Sequence, residues 1–210
     1  MVDRSDPGAS TTDASTTDAA TPDDGMRGGW VPLLERAERI GQLVWVERQL
    51  FERYGAWAGA TGVDVVDVGY GESSRRHGWH AQVFFERLPE LSVLHAETLV
   101  IAPGPATAAL FEHLAELDDV PAEQRWWITH RVVQPLLVAT LRAERASVDP
   151  TAEPALDRWL RIVLADDVDE LLHGDAVARQ LLPPDADPDE LLVAQLHAER
   201  LAHASSLLRR

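Results

Sequence analysis

The 210-residue chain contains no cysteine. That excludes a disulfide framework, thiolate metal sites and thiol redox chemistry. Any metal would have to be held by His, Asp and Glu. Lysine and asparagine are absent too, and with Arg and Ala abundant this reads as GC-rich codon usage rather than a functional message. Only 2 Met are present, too few for a Met-lined haem pocket or peptide groove. No apolar run approaches the length of a membrane span, and the N-terminus lacks the basic-then-apolar order of a signal peptide. The expectation is a cytoplasmic protein with no membrane partner. No Gly-rich phosphate loop and no nucleophile elbow occurs. Positive charge is scarce: 19 basic against 35 acidic residues, a net −16. This balance argues against nucleic acid as a partner, and solubility is its plainest role.

What is present is 45% hydrophobic residues, enough for a sizeable core. Residues 1–28 hold the repeat "STTDA" and almost nothing that can be buried, so they read as a disordered acidic tail. Residues 29–210 read as one helical domain. Apolar residues recur at helical spacing from about 30 to 58, ending at "GATG". A second helix ends before Pro89, and a connection follows to a short helix at about 105–117. A long helix is expected from 121 to about 147, with Pro121 in its first turn. Another runs from about 152 to 181, broken or bent near Gly174, and a last one from about 188 to 208. Two long helix pairs with short loops predict antiparallel hairpins that pack as an up-down four-helix bundle, with the other helices as accessories.

Polar residues interrupt the apolar rows. The first helix has Ile40, Val44, Glu47, Phe51 and Tyr54 on one line, and a carboxylate there must be paired, protonated or metal-bound. The second has Val66, Tyr70, His77, His80 and Phe84. With the turn near residue 61, Glu47 and His77 are almost equidistant from it and should lie level, with His80 one turn beyond. One carboxylate and two imidazoles make a metal half-site, or a buried pair that sets helix register. In the second hairpin Asp166, Glu170 and His173 share a line, and Glu170 with His173 forms a Glu-x-x-His unit. Level with them on the partner helix are His130 and Gln134. Asp167 and Asp169 read as surface acids. A solvated face for the whole "DDVDE" run is an equal alternative. Glu144, near the loop, is expected to pair with Asp157 or Arg158.

These residues resemble the ferritin-like superfamily of di-iron bundles. There a Glu on the first helix is followed, about thirty residues on, by Glu-x-x-His on the second, and the second hairpin repeats the pattern. Glu47 and His77-x-x-His80 have that interval, with His77 where the family has Glu. The stretches "WVERQLFERYGAW" and "HGWHAQVFFERLPEL" also look like a group of bacterial ferritin-like proteins. The resemblance covers roughly residues 30–180 and implies an all-α, ferritin-like fold. It departs at His77 and at Gln134, where a carboxylate would be usual. Three outcomes stay open: a single metal on Glu47, His77 and His80; a His-rich dinuclear site; or a bundle without metal.

The expected function is that of a non-haem iron protein, an oxidase or oxygenase of unspecified substrate, with manganese as the alternative metal. Glu47, His77 and His80 would be ligands, Asp166 or Glu170 would complete the shell, and His130 or His173 would be optional ligands or proton carriers. Ser74 and Gln134 would orient them. The rival expectation is a metal-free helical scaffold that binds a protein partner or forms a homodimer.

Overall fold

The computed structural model describes residues 31–89 and 94–181, and the regular structure among them is helical with no β-strand. The acidic tail at 1–28 and the helix expected at 188–208 lie outside the described residues. The elements are α1 (Leu33–Trp57), α2 (Asp64–Phe85), α3 (Pro105–Glu116), α4 (Ala122–Ile128), α5 (Gln134–Ala146) and α6 (Pro154–Leu181). Short 3-10 turns at Ala96–Leu99 and Leu117–Asp119 flank α3.

The first hairpin turns where the chain changes hand. Gly59 and Gly62 have φ of 75° and 73°, a region that a Cβ disfavours. Asp67 then fastens the turn, its Oδ1 accepting from the Thr61 backbone N–H at 2.9 Å and from the Thr61 hydroxyl at 2.6 Å. α1 and α2 run antiparallel: Ser74 donates its hydroxyl to the Phe51 carbonyl, while further from the turn Arg48 lies over the Phe85 ring. Phe51 itself is 44% exposed, and Leu50, fully buried, takes the core place that periodicity assigns to Phe51.

α4 and α5 form one run through a π turn at Thr129–Val133. The long helix expected over 121–147 is therefore present but not uniform. Pro135 explains the irregularity. It has no N–H for a carbonyl one turn earlier and its ring crowds that carbonyl, so the helix widens there. α6 is continuous through Gly174, so the chain does not break there. The glycine is there for space: a Cβ would lie 1.8 Å from Cδ2 of the His130 ring. Gly69 on α2 does the same for Trp126, whose ring would meet a Cβ at 2.3 Å. Trp126 and His130 stack with centroids 4.0 Å apart, and the two glycines let this pair sit between α2 and α6.

α5 and α6 form the second hairpin, and α6 lies against α2. The core between them is built from Leu43, Leu50, Phe84, Leu137, Leu141 and Leu160, all fully buried. Truncating any one to Ala removes about 2–5 kcal/mol.

Candidate metal centre

α1, α2 and α6 each bring polar side chains into this core. Glu47, His77, His80 and Asp167 are fully buried, and Glu170 is 4% exposed. Donor atoms of Glu47, His77 and His80 lie within 4.8 Å of one another, and so do those of His77, Asp167 and Glu170. His77 thus belongs to both groups. Its Nδ1 is 2.6 Å from Glu47 Oε2 and its Nε2 is 3.5 Å from Glu170 Oε1. His80 turns Nδ1 inward, 3.6 Å from Glu47 and 3.7 Å from Asp167. Its Nε2 points outward to Asp166 Oδ2 at 3.3 Å.

Buried polar atoms are ordinarily hydrogen-bonded. Here Glu47 Oε1, His77 Nε2, His80 Nδ1, both Asp167 oxygens and Glu170 Oε1 have no hydrogen-bond partner. The fully buried Tyr54 hydroxyl also lacks one, as do both amide atoms of Gln134. These orphans are almost all atoms that can offer a lone pair.

The electrostatics follow from burial and neighbours. Burial alone would raise the Glu47 carboxyl, but His77 and His80 beside it hold it below its usual value. Burial likewise works against ionised Glu170, and His77 again wins, keeping it well below the carboxylate range. Burial disfavours a charged His77, yet Glu170 and Glu47 on either side push it well above the imidazole range. His80 moves up for the same reason, against burial, through Glu47 and Asp167. Asp167 has the opposite fate: burial, reinforced by the Glu47 charge, pushes it up to about 8. The cluster therefore holds protons at neutral pH that a cation would displace.

The sequence-derived candidates separate into groups. Glu47, His77, His80 and Glu170 come together. Asp166 is 39% exposed and meets His80 from the outer side. His130 is buried, but its Nδ1–H donates to the Trp126 carbonyl at 3.0 Å and it joins neither donor group. Burial drops its pKa to about 4, so the ring is neutral. His173 is exposed and belongs to neither group. Ser74 is spent on the Phe51 carbonyl. Asp167, read as a surface acid, is fully buried in the cluster. The residues of α6 that face inward are Leu156, Leu160, Val163, Asp167, Glu170, Gly174 and Val177. The inward unit on α6 is thus Asp167-x-x-Glu170, not Glu170-x-x-His173. The alternation of three and four residues counted from Leu156 was the available signal.

No family model, no curated protein and no solved structure matches the chain.

Proposed function

We propose that this protein is a ferritin-like helical bundle that binds one or two non-haem iron ions, with manganese the alternative, and works as an oxidase or oxygenase on a small molecule. The unpartnered donor atoms of Glu47, His77, His80, Asp167 and Glu170, buried in one place, carry the reading. Oxygen and imidazole donors without sulfur suit iron and manganese. Three carboxylates would neutralise most of the charge of two dications. The proposed ligand set also keeps the symmetry of the resemblance. Each hairpin would contribute a pair three residues apart, His77 with His80 and Asp167 with Glu170. Gln134 would stand where a fourth carboxylate is usual.

A bound iron ion with open positions would supply Lewis acidity and redox chemistry with dioxygen. The chain's own residues hold and orient it. Asp166 takes the outer N–H of His80, so Nδ1 would be the lone pair offered inward once its proton is displaced. Arg76 takes Glu170 Oε2 at 2.7 Å, which leaves Oε1 free.

One observation favours a second reading. The 2.6 Å contact of His77 with Glu47 suits an imidazolium shared by two carboxylates, a metal-free register lock. Metal analysis decides between them. After anaerobic Fe(II) reconstitution and desalting, plasma mass spectrometry should find one or two irons per chain, lost in Glu47→Ala/His80→Ala. An iron-free protein after reconstitution, with the wild-type fold intact, would leave only the register lock.

A further inference from the structure

A cleft of about 220 Å³ lies where α2, the Trp126–His130 stack and α6 meet, and Glu170 lines it. Glu170 is the only one of the five central residues on its wall. One oxygen, Oε2, is held by Arg76, which also lines the cleft, while Oε1 is unpartnered 3.5 Å from His77 Nε2. A single carboxylate, 4% exposed, therefore connects the cleft to the buried cluster. At the rim stand Glu72, Asp169 and His173, all exposed. Neither Glu72 nor Asp169 forms an ion pair among the described residues. Arg76 is the cleft's one arginine and is answered by Glu170.

We propose that this cleft is the port through which a divalent cation reaches the buried donors, an inference that rests on the metal-binding reading above. The net charge of the port comes from Glu72 and Asp169, so it attracts cations, and a concave wall focuses that field. His173 and Asp169, four residues apart on α6, face the same way and offer a first imidazole and carboxylate to an incoming ion. Glu170 is the next donor inward. Arg76 opposes the passage: its charge sits at the neck, and its bond to Glu170 must loosen before that carboxylate can swing to the ion. The assignment gives a role in transit to His173, which belongs to neither central donor group.

The test is the rate of Co(II) uptake by the full chain, followed by stopped-flow absorbance, with bound cobalt counted afterwards. Glu72→Gln/Asp169→Asn changes two exposed groups, so the fold is retained. It should slow uptake about tenfold at low salt, with the same final cobalt content and the same spectrum. Arg76→Gln should speed uptake. Added salt should slow the wild type and barely affect the double variant. Glu38→Gln/Glu52→Gln, equal in charge change but on exposed positions of α1, should load at the wild-type rate. Uptake by Glu72→Gln/Asp169→Asn as fast as the wild type, or equal slowing in the α1 control, would overturn the port while leaving the metal site standing. Absence of cobalt binding in the wild type would overturn the metal reading itself and the port with it.

Discussion

Two buried polar clusters lie among these helices, and they differ in what is left over. At the loop end, Arg36 and Arg39 of α1 converge on Glu144 of α5. Arg36 pairs with Glu144 Oε1, donates to the Ser147 hydroxyl at 2.9 Å and to the Ser147 carbonyl at 2.8 Å, and lies 3.2 Å from Glu153. Arg39 takes the other Glu144 oxygen at 3.2 Å. Both carboxylate oxygens are thus used; the Nε atoms of the two arginines make no hydrogen bond, and that of Arg36 is the atom 3.2 Å from Glu153 Oε1. Glu144 was expected to pair with Asp157 or Arg158, yet it crosses to α1, and Asp157 pairs with Arg145 instead. Between the central helices the leftovers are carboxylate oxygens and imidazole nitrogens, groups that offer lone pairs once their protons leave. Charges that each face an opposite charge are the mark of a structural tie. A set of groups that become acceptors on losing a proton, with no arginine to answer them apart from Arg76 at the edge, is what the proposed cation site would need.

The sharpest way to break this contrast is to remove a carboxylate from each cluster. Glu144→Ala strands Arg36 at 4% exposure and should cost about 3–5 kcal/mol in urea unfolding. Iron per folded chain should not change. Glu47→Gln keeps the shape and one hydrogen bond to His77, so the metal-free fold should lose only about 1–2 kcal/mol. Its iron content should nonetheless fall to background. If Glu144→Ala also emptied the protein of iron, or Glu47→Gln kept it, the two clusters would not be different in kind.

A smaller but more diagnostic effect is in pH. Asp167 is pushed up to about 8 in the folded chain, against an ordinary aspartate value of 3.8. Between those values the folded state keeps a proton that the unfolded state has released, so stability falls as pH rises. His77, raised well above 6.5, acts with the same sign, its contribution being lost as pH climbs through its folded value. His130, held down to about 4, has the opposite sign and offsets Asp167 up to about pH 6.5, so the metal-free protein should lose stability chiefly from about pH 6.5 to about pH 8. A cation competes with those same protons, so its affinity should rise over that window, with proton release on loading. Thermal melts with and without Fe(II) across the range would diverge increasingly with pH. Parallel curves would show that Asp167 and His77 are not the groups the cation displaces.

How much of this was legible in the chain depended on whether side-chain type or spacing had to decide. Glu47 and His77 could be set opposite each other because equal distance from a turn suffices for an antiparallel pair. The phase of α6 was harder. "DDVDE" offers an acid at 166, 167, 169 and 170, so acidity could not choose between faces, and a one-residue error exchanged Asp167 for Asp166. Packing chose: Gly174 faces His130, which turns His173 away. The same one-residue ambiguity put Phe51 in the core where Leu50 sits. The π turn had a visible cause in Pro135, whose effect inside a helix was passed over in favour of the plain period. The 3-10 turn at Ala96–Leu99 carried no periodic signal because four residues are too few to show one.

Asp166 offers the finest distinction, because the structure places it beside the cluster without putting it in either donor group. Its Oδ2 is 3.3 Å from His80 Nε2, while the lone-pair side of His80 faces Glu47 and Asp167. A carboxylate there fixes the ring's orientation and tautomer and makes the inward nitrogen a better donor. Asp166→Asn keeps the size and can still accept a hydrogen bond, but loses the charge. It should weaken iron binding by about 10- to 100-fold without changing the number of ions bound at saturation. Asp167→Asn, by contrast, removes a central donor and should lower that number or abolish binding. Titration with Fe(II) under anaerobic conditions reads both quantities at once. A loss of stoichiometry in Asp166→Asn would move that residue among the ligands, and an unchanged affinity would reduce it to a solvated acid on the outer face of α6.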